Sequence, residues 1–286
     1  MKWYEVKERS AGEKRLILTY YIYKIFGKFP VQVIAFFVAL GTFLSSKDLR
    51  HCSKKYLSIV GLKPSNINIF LQFLSYALAM VDKIEVFAGN FNPKSITTTN
   101  CNDFFRLQEE NKGAVCIFSH VGNIDIARVL INKNQKITII LSIEQAKLFR
   151  NFLSKFSNYQ TIYFEPVETL GIETIIRLKD KVDKGELIFI AGDRASKNSK
   201  NIEVEVLNAK TEFPKGTFKL AHLLEVPVFF VSCIKNRNKY NFEVEEYLSE
   251  DNSLKNMADS FAKFISNQAK RAPFQFYHFY DFFKEN

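Results

Sequence analysis

His120 and Asp125 come first, because an imidazole and a carboxylate close in sequence are the raw material of a general base and its orienting partner. They sit in the stretch AVCIFSHVGNIDIARVL, residues 114–130. On one continuous helix, residues five apart point about 140° from each other and would not meet. The stretch reads instead as an apolar strand ending at Ser119-His120, a turn at Val121-Gly122-Asn123, and a helix beginning near Ile124-Asp125. Gly122 permits the tight or left-handed backbone that such a turn needs. Asp125 can then fold back onto His120, fix its tautomer and stabilise the imidazolium as it forms. A core histidine beside an N-terminal helix aspartate is the plainer reading, so the pair alone does not decide the chemistry.

Two further stretches carry charge where a ligand would gather. LIFIAGDRAS ends a buried run at Gly192, with Asp193 and Arg194 at its mouth. Arginine there suits phosphate or carboxylate, and a surface ion pair is the plain alternative. FPKGTFKLAHLLEVPVFFV holds a Pro-Lys-Gly turn leading into a helix and then a strand. Lys215 and the exposed amides beside Gly216 suit an anion, and an ordinary loop is the plain alternative.

The elements that must position these residues follow from periodicity. Short apolar runs at 114–119, 137–141, 161–165, 187–191 and 228–233 read as strands. Helical patterns at 124–132, 143–154, 171–183 and 215–224 lie between them. Alternation of this kind predicts an α/β fold, a mostly parallel central sheet flanked by helices. In such folds ligands collect at the carboxyl ends of strands, where all three candidate stretches fall. The segments 202–207 and 241–247 alternate more cleanly and read as edge strands, and 253–273 reads as a helix with a basic end.

The first part of the chain is different. FPVQVIAFFVALGTFLSS, residues 29–46, holds 18 residues without a charge between Lys28 and Lys47. It reads as a membrane-docked or re-entrant helix, with a single span and a buried core helix as the other two readings. PSNINIFLQFLSYALAM, 64–80, is a second uncharged helix of amphipathic or buried type. These predict an N-terminal membrane-associating region, 1–82, and a catalytic domain, 83–286. The opening residues are polar and show no cleavable signal.

Composition narrows the partners. The net charge of +10 suits anionic lipid, an acidic carrier protein or nucleic acid. Basic residues are spread along the chain with no helix-turn-helix, zinc-finger or RNP signature, which argues against nucleic acid. Twenty-nine Phe fit contact with acyl chains, or an AT-rich genome. The four cysteines, Cys52, Cys101, Cys116 and Cys233, lie far apart, so neither a zinc site nor a disulfide framework is indicated.

The ordered set of motifs resembles the lysophospholipid acyltransferase superfamily: His-x4-Asp, a strand ending in an acidic-Arg pair, then FPKGTFKLA followed by Val-Pro-Val. Its glycerolipid branch has a strand ending in Glu-Gly-Thr-Arg, and Gly192-Asp193-Arg194 stands in that place. PKGTFKLAH looks like that motif at first, but by order it matches a later helix. Trp3 with Glu8-Arg9-Ser10, SHVGNIDIAR, EQAKLF, AGDR and FYHFYDFF are closer still to the lipid A biosynthesis-type branch and its bacterial relatives.

The resemblance implies transfer of a fatty acyl group from an acyl-carrier-protein or CoA thioester to a hydroxyl or amine of a lipid-like acceptor. It implies His120 as general base, Asp125 as its orienting partner, and Arg194 with Arg150 or Lys215 holding phosphate or carboxylate. An oxyanion donor is expected near Gly122-Asn123. No metal and no bound cofactor is expected, and the setting implied is the cytoplasmic face of the inner membrane. Asp125 stands where many lipid A acyltransferases carry Glu. A thioesterase using the same base on water, and a lipid-binding protein with a decayed site, are the alternative functions. No G-x-S-x-G elbow is present, so a serine hydrolase is disfavoured.

Overall fold

The computed structural model describes residues 13–132, 134–153, 161–167, 171–197, 199–251 and 253–284, without the side chains of 13–15, 148–149 and 152–153. Trp3 and Glu8-Arg9-Ser10 lie outside the described residues, as do the side chains of Leu148 and Phe149 in EQAKLF.

The sheet is mostly parallel and helices flank it. Its strands are β1 (Ile96–Thr99), β2 (Ala114–Gly122), β3 (Ile137–Leu141), β4 (Ile162–Pro166), β5 (Leu187–Ala191), β8 (Val228–Asn236) and β9 (Lys239–Glu246), in the order β1-β9-β8-β2-β5-β3-β4. Only β8 and β9 pair antiparallel. β2, β5 and β8 hold apolar side chains on both faces and are buried on both, as a strand covered by helices must be. A separate hairpin of β6 (Asn201–Val206) and β7 (Ala209–Pro214) stands off the main sheet. Of the two expected edge strands, 202–207 therefore falls in this hairpin. The other lies in β9, which is interior because β1 pairs along its far side.

The catalytic-side helices are α5 (Asn102–Glu109), α6 (Ile143–Leu153), α7 (Ile172–Asp183), α8 (Lys215–Leu224) and α9 (Leu254–Arg271). The expected helix at 124–132 is instead a 3-10 segment, Ile124–Val129. Three β-branched residues in it, Ile124, Ile126 and Val129, weaken an α-helix. The backbone of Asn123 is also fixed to Cys233 just before it, with its amide donating at 2.7 Å.

The N-terminal helices are α1 (Glu13–Phe26), α2 (Lys28–Ser45), α3 (Lys47–Ile59) and α4 (Asn66–Phe87). The boundary expected after residue 82 falls inside α4, a continuous helix capped at Ser65, whose hydroxyl accepts from the Asn68 amide. Tyr56, Leu57, Ile69 and Phe73 share one core cluster with Val115, Ile188 and Phe230 of the sheet, so α3 and α4 belong to the same packed body. α2 and α4 are each long and apolar enough to cross a membrane by length and composition. They differ in surroundings. α4 buries Gln72 and Asp82, and its Phe73 and Tyr76 meet rings of the C-terminal tail. α2 buries only the stripe Val31, Ala35 and Ala39, leaving Phe29, Phe37, Val38 and Leu44 at 59–74% exposure.

Candidate active site

Sheet register explains how the site forms. Phe118 of β2 pairs with Ala191 of β5. His120 and Asp193 each lie two residues further along adjacent parallel strands, so both arrive at the same carboxyl edge. His120 Nδ1 is 2.9 Å from Asp193 Oδ1, and the His120 amide donates to Asp193 Oδ2. Asp193 is fully buried while the His120 side chain keeps 28% exposure, so the carboxylate is shut in and the imidazole faces out. Burial works to raise the Asp193 pKa, but the two imidazoles of His120 and His278 outweigh it and hold the carboxyl well below the usual carboxylate range.

Asp125 takes a different place. Its Oδ2 lies 2.7 Å from Lys83 Nζ of α4, and Lys83 sits over the Phe87 ring. The carboxylate against His120 Nδ1 is therefore that of Asp193, and not that of Asp125, the orienting partner that the family resemblance implies. The reason is topological: the 3-10 segment turns toward α4, whereas the β5 end runs alongside β2.

The turn residues also have structural work. Gly122 has φ +77°, and a Cβ there would lie 2.3 Å from the Cys233 carbonyl oxygen. Asn123 is buried, its side chain donates to the Ala79 carbonyl at 2.8 Å, and its amide is held by Cys233. Its backbone amide and its side-chain nitrogen are thus both engaged within the fold.

Downstream, Thr217 Oγ1 donates to the Ala191 carbonyl at 2.9 Å, which docks the first turn of α8 on the end of β5. This brings Lys215 and Gly216 toward the edge that holds Asp193 and Arg194. A Cβ at Gly216 would meet nothing within 4 Å, so its backbone faces open space. Arg150 is elsewhere: it is exposed on α6 and donates to the Phe164 carbonyl of β4 at 3.4 Å. No described contact joins it to His120 or Asp193.

His278 was legible only as part of FYHFYDFF, with no role attached. It is buried, and its Nε2 lies 2.9 Å from Asp193 Oδ2, close but not aligned as a regular hydrogen bond. Burial pushes its pKa down to about 4, with the Asp193 charge opposing. The tail that carries it is held on several sides. Tyr277 donates its amide to the His120 carbonyl at 3.0 Å, and Tyr56 stacks on Phe276 at 4.2 Å. Gln275 donates to Lys235 O at 2.6 Å and accepts from its amide at 2.8 Å.

The fold thus sets a histidine against a buried aspartate at the carboxyl edge of a mostly parallel α/β sheet. The chain matches the family described as bacterial lipid A biosynthesis acyltransferase over residues 22–285 and belongs to it. It is an acyltransferase that acts on lipid-like acceptors. A comparison with curated proteins gave no match.

Proposed function

We propose that this acyltransferase draws its acyl group from an acyl-carrier-protein or CoA thioester and passes it to a hydroxyl or amine of a lipid at a membrane surface. His120 is the general base. The observation that carries this reading is the 2.9 Å contact between His120 Nδ1 and the buried Asp193 carboxylate. A proton held on Nδ1 by Asp193 leaves the basic lone pair on Nε2, which takes the acceptor's proton as its oxygen or nitrogen attacks the thioester carbonyl. The tetrahedral intermediate then collapses, expelling the thiolate of the carrier. The proton on His120 goes to that sulfur, so the base is regenerated. Asp193 orients the ring and supports the imidazolium. Arg194, with Lys215 and the open backbone at Gly216, suits phosphate or carboxylate of donor or acceptor.

Membrane docking rests on the outward face of α2. Lys28 at its start is tied to Asp82 at 2.7 Å and Glu85 at 2.6 Å. Beyond its last turn α3 enters the main core. With both ends bound to one folded body, α2 is suited to lie in the interface of a cytoplasmic leaflet rather than cross it.

The test is acyl transfer by the purified chain in lipid micelles, with acyl-carrier-protein and acyl-CoA donors offered separately against a lipid extract. An acylated lipid as product supports the reading. Free fatty acid as sole product, with acceptors present, would select a thioesterase instead.

A further inference from the structure

The Asp193 carboxylate faces two imidazoles, and the reading of His120 as base uses only one of them. We propose that His278 is a positioning residue for that base: it shares the Asp193 carboxylate with His120, and by taking part of the negative charge it sets the basicity of His120. The inference rests on the proposed role of His120 and assigns the C-terminal tail a part in the active site.

Proximity favours one position for the proton. Nε2 of His278 lies 2.9 Å from a carboxylate oxygen, and beside that negative charge a proton on the nitrogen is attracted where a bare lone pair is repelled. The other nitrogen, Nδ1, then keeps its lone pair, and it has no hydrogen-bond partner among the described residues. His278 is clamped: it stacks on Phe282 at 4.3 Å and meets the edges of Phe276 at 4.5 Å and Tyr280 at 5.3 Å. The tail holding these rings is itself fixed to α3 and α4. Gln72 donates to the Phe276 carbonyl, Ser53 donates to Gln72, and Ser75 and Tyr277 join hydroxyls at 3.0 Å. A ring so held cannot turn away when the charge on Asp193 changes.

Among the described residues, Arg194, Tyr280, Lys83 and Asp125 also bear on this array. Arg194 follows Asp193 and acts against protonation of His278. The buried Tyr280 hydroxyl feels Asp193, and burial foremost keeps its proton on. Lys83 and Asp125 form an ion pair of their own at 2.7 Å. Within this setting, an N–H brought close to Asp193 by the tail weakens the pull of the carboxylate on the Nδ1 proton of His120. Removing it concentrates the charge on His120, so the imidazolium is held more tightly and the base stays protonated to higher pH.

The experiment is a titration of the His120 ring by NMR in the full chain, assigned with His120→Ala, for wild type, His278→Phe and His278→Gln. The Phe ring fills the space without a donor, and the Gln amide can restore one. The expected result is a midpoint raised by about half a pH unit or more in His278→Phe and restored in His278→Gln. A midpoint that stays put or falls in His278→Phe overturns the proposal. If that variant does not fold, the ring nitrogens of wild-type His278 decide: a neutral Nε2-protonated ring at pH 7 supports the proposal, and the Nδ1-protonated form overturns it. These readouts need no turnover. Failure of the acyl-transfer reading would appear separately, as wild-type protein with no acylated product.

Discussion

The Nδ1 of His120 and the Oδ1 of Asp193 stand 2.9 Å apart at the ends of two neighbouring parallel strands, β2 and β5. The pair is built by the sheet itself. Because Phe118 and Ala191 are in register, His120 near the end of β2 and Asp193 in the bend just past β5 are brought side by side. Rigid positioning of this kind is what a base needs when a small displacement costs rate.

Replacing Asp193 by Asn removes the acceptor that holds the Nδ1 proton and offers His120 a donor on one side instead. The ring is then free to take the tautomer that cannot act as base. We expect kcat to fall by about 10²- to 10⁴-fold, with a smaller change in KM. Steady-state kinetics on Asp193→Asn check this, with circular dichroism confirming the fold.

Asp125 and Lys83 form a second ionic pair, 2.7 Å apart, with Lys83 only 15% exposed. If Asp125 acts mainly through this pair, Asp125→Ala harms activity by taking this carboxylate from Lys83, and Lys83→Met in the same chain restores part of the loss. A double-mutant cycle on kcat/KM is expected to give a coupling of about 1 kcal/mol or more. Additive losses would return Asp125 to the orienting role that the sequence spacing suggested.

The buried histidine makes a prediction for stability. His278 has its folded-state pKa lowered from 6.5 to about 4. Between those values the unfolded chain binds a proton that the folded chain refuses. Stability therefore rises with pH through that window and is lost as pH falls from about 6.5 towards 4. Asp193 contributes in the same direction only at lower pH, because its folded pKa lies below the ordinary carboxylate value. Melting temperature measured from pH 7 to pH 4 is expected to drop, and His278→Phe is expected to flatten that drop.

On α2, Phe37 is 63% exposed and packs edge-on against Phe36. Phe37→Asp places a charge on the face that is to enter the lipid interface, without touching the stripe Val31, Ala35 and Ala39. We expect roughly tenfold weaker binding to anionic vesicles or more, with an unchanged melting temperature. Vesicle sedimentation measures it.

Much of the fold was legible because strands such as 137–141 and 187–191 are short, apolar and separated by helical periods. The position of His120 at a strand's end was legible for the same reason. What could not be read was which strands become neighbours. Asp193 reaches His120 through the β2–β5 register, and proximity in sequence pointed to Asp125 instead. His278 reaches Asp193 only because the tail folds back over α3 and α4, a path that no local pattern encodes. Arg150, which the family resemblance implies as an anion ligand, is carried by α6 to the β4 edge. The boundary expected after residue 82 falls within α4, whose uncharged run packs on the tail and the sheet-side core.

The most direct measurement is acyl transfer by His120→Ala, purified in folded form and compared with wild type on the same donor and acceptor. The account predicts a loss of about 10³-fold or more in turnover with the melting temperature nearly unchanged. Turnover close to that of wild type would contradict it and remove His120 from the role of base.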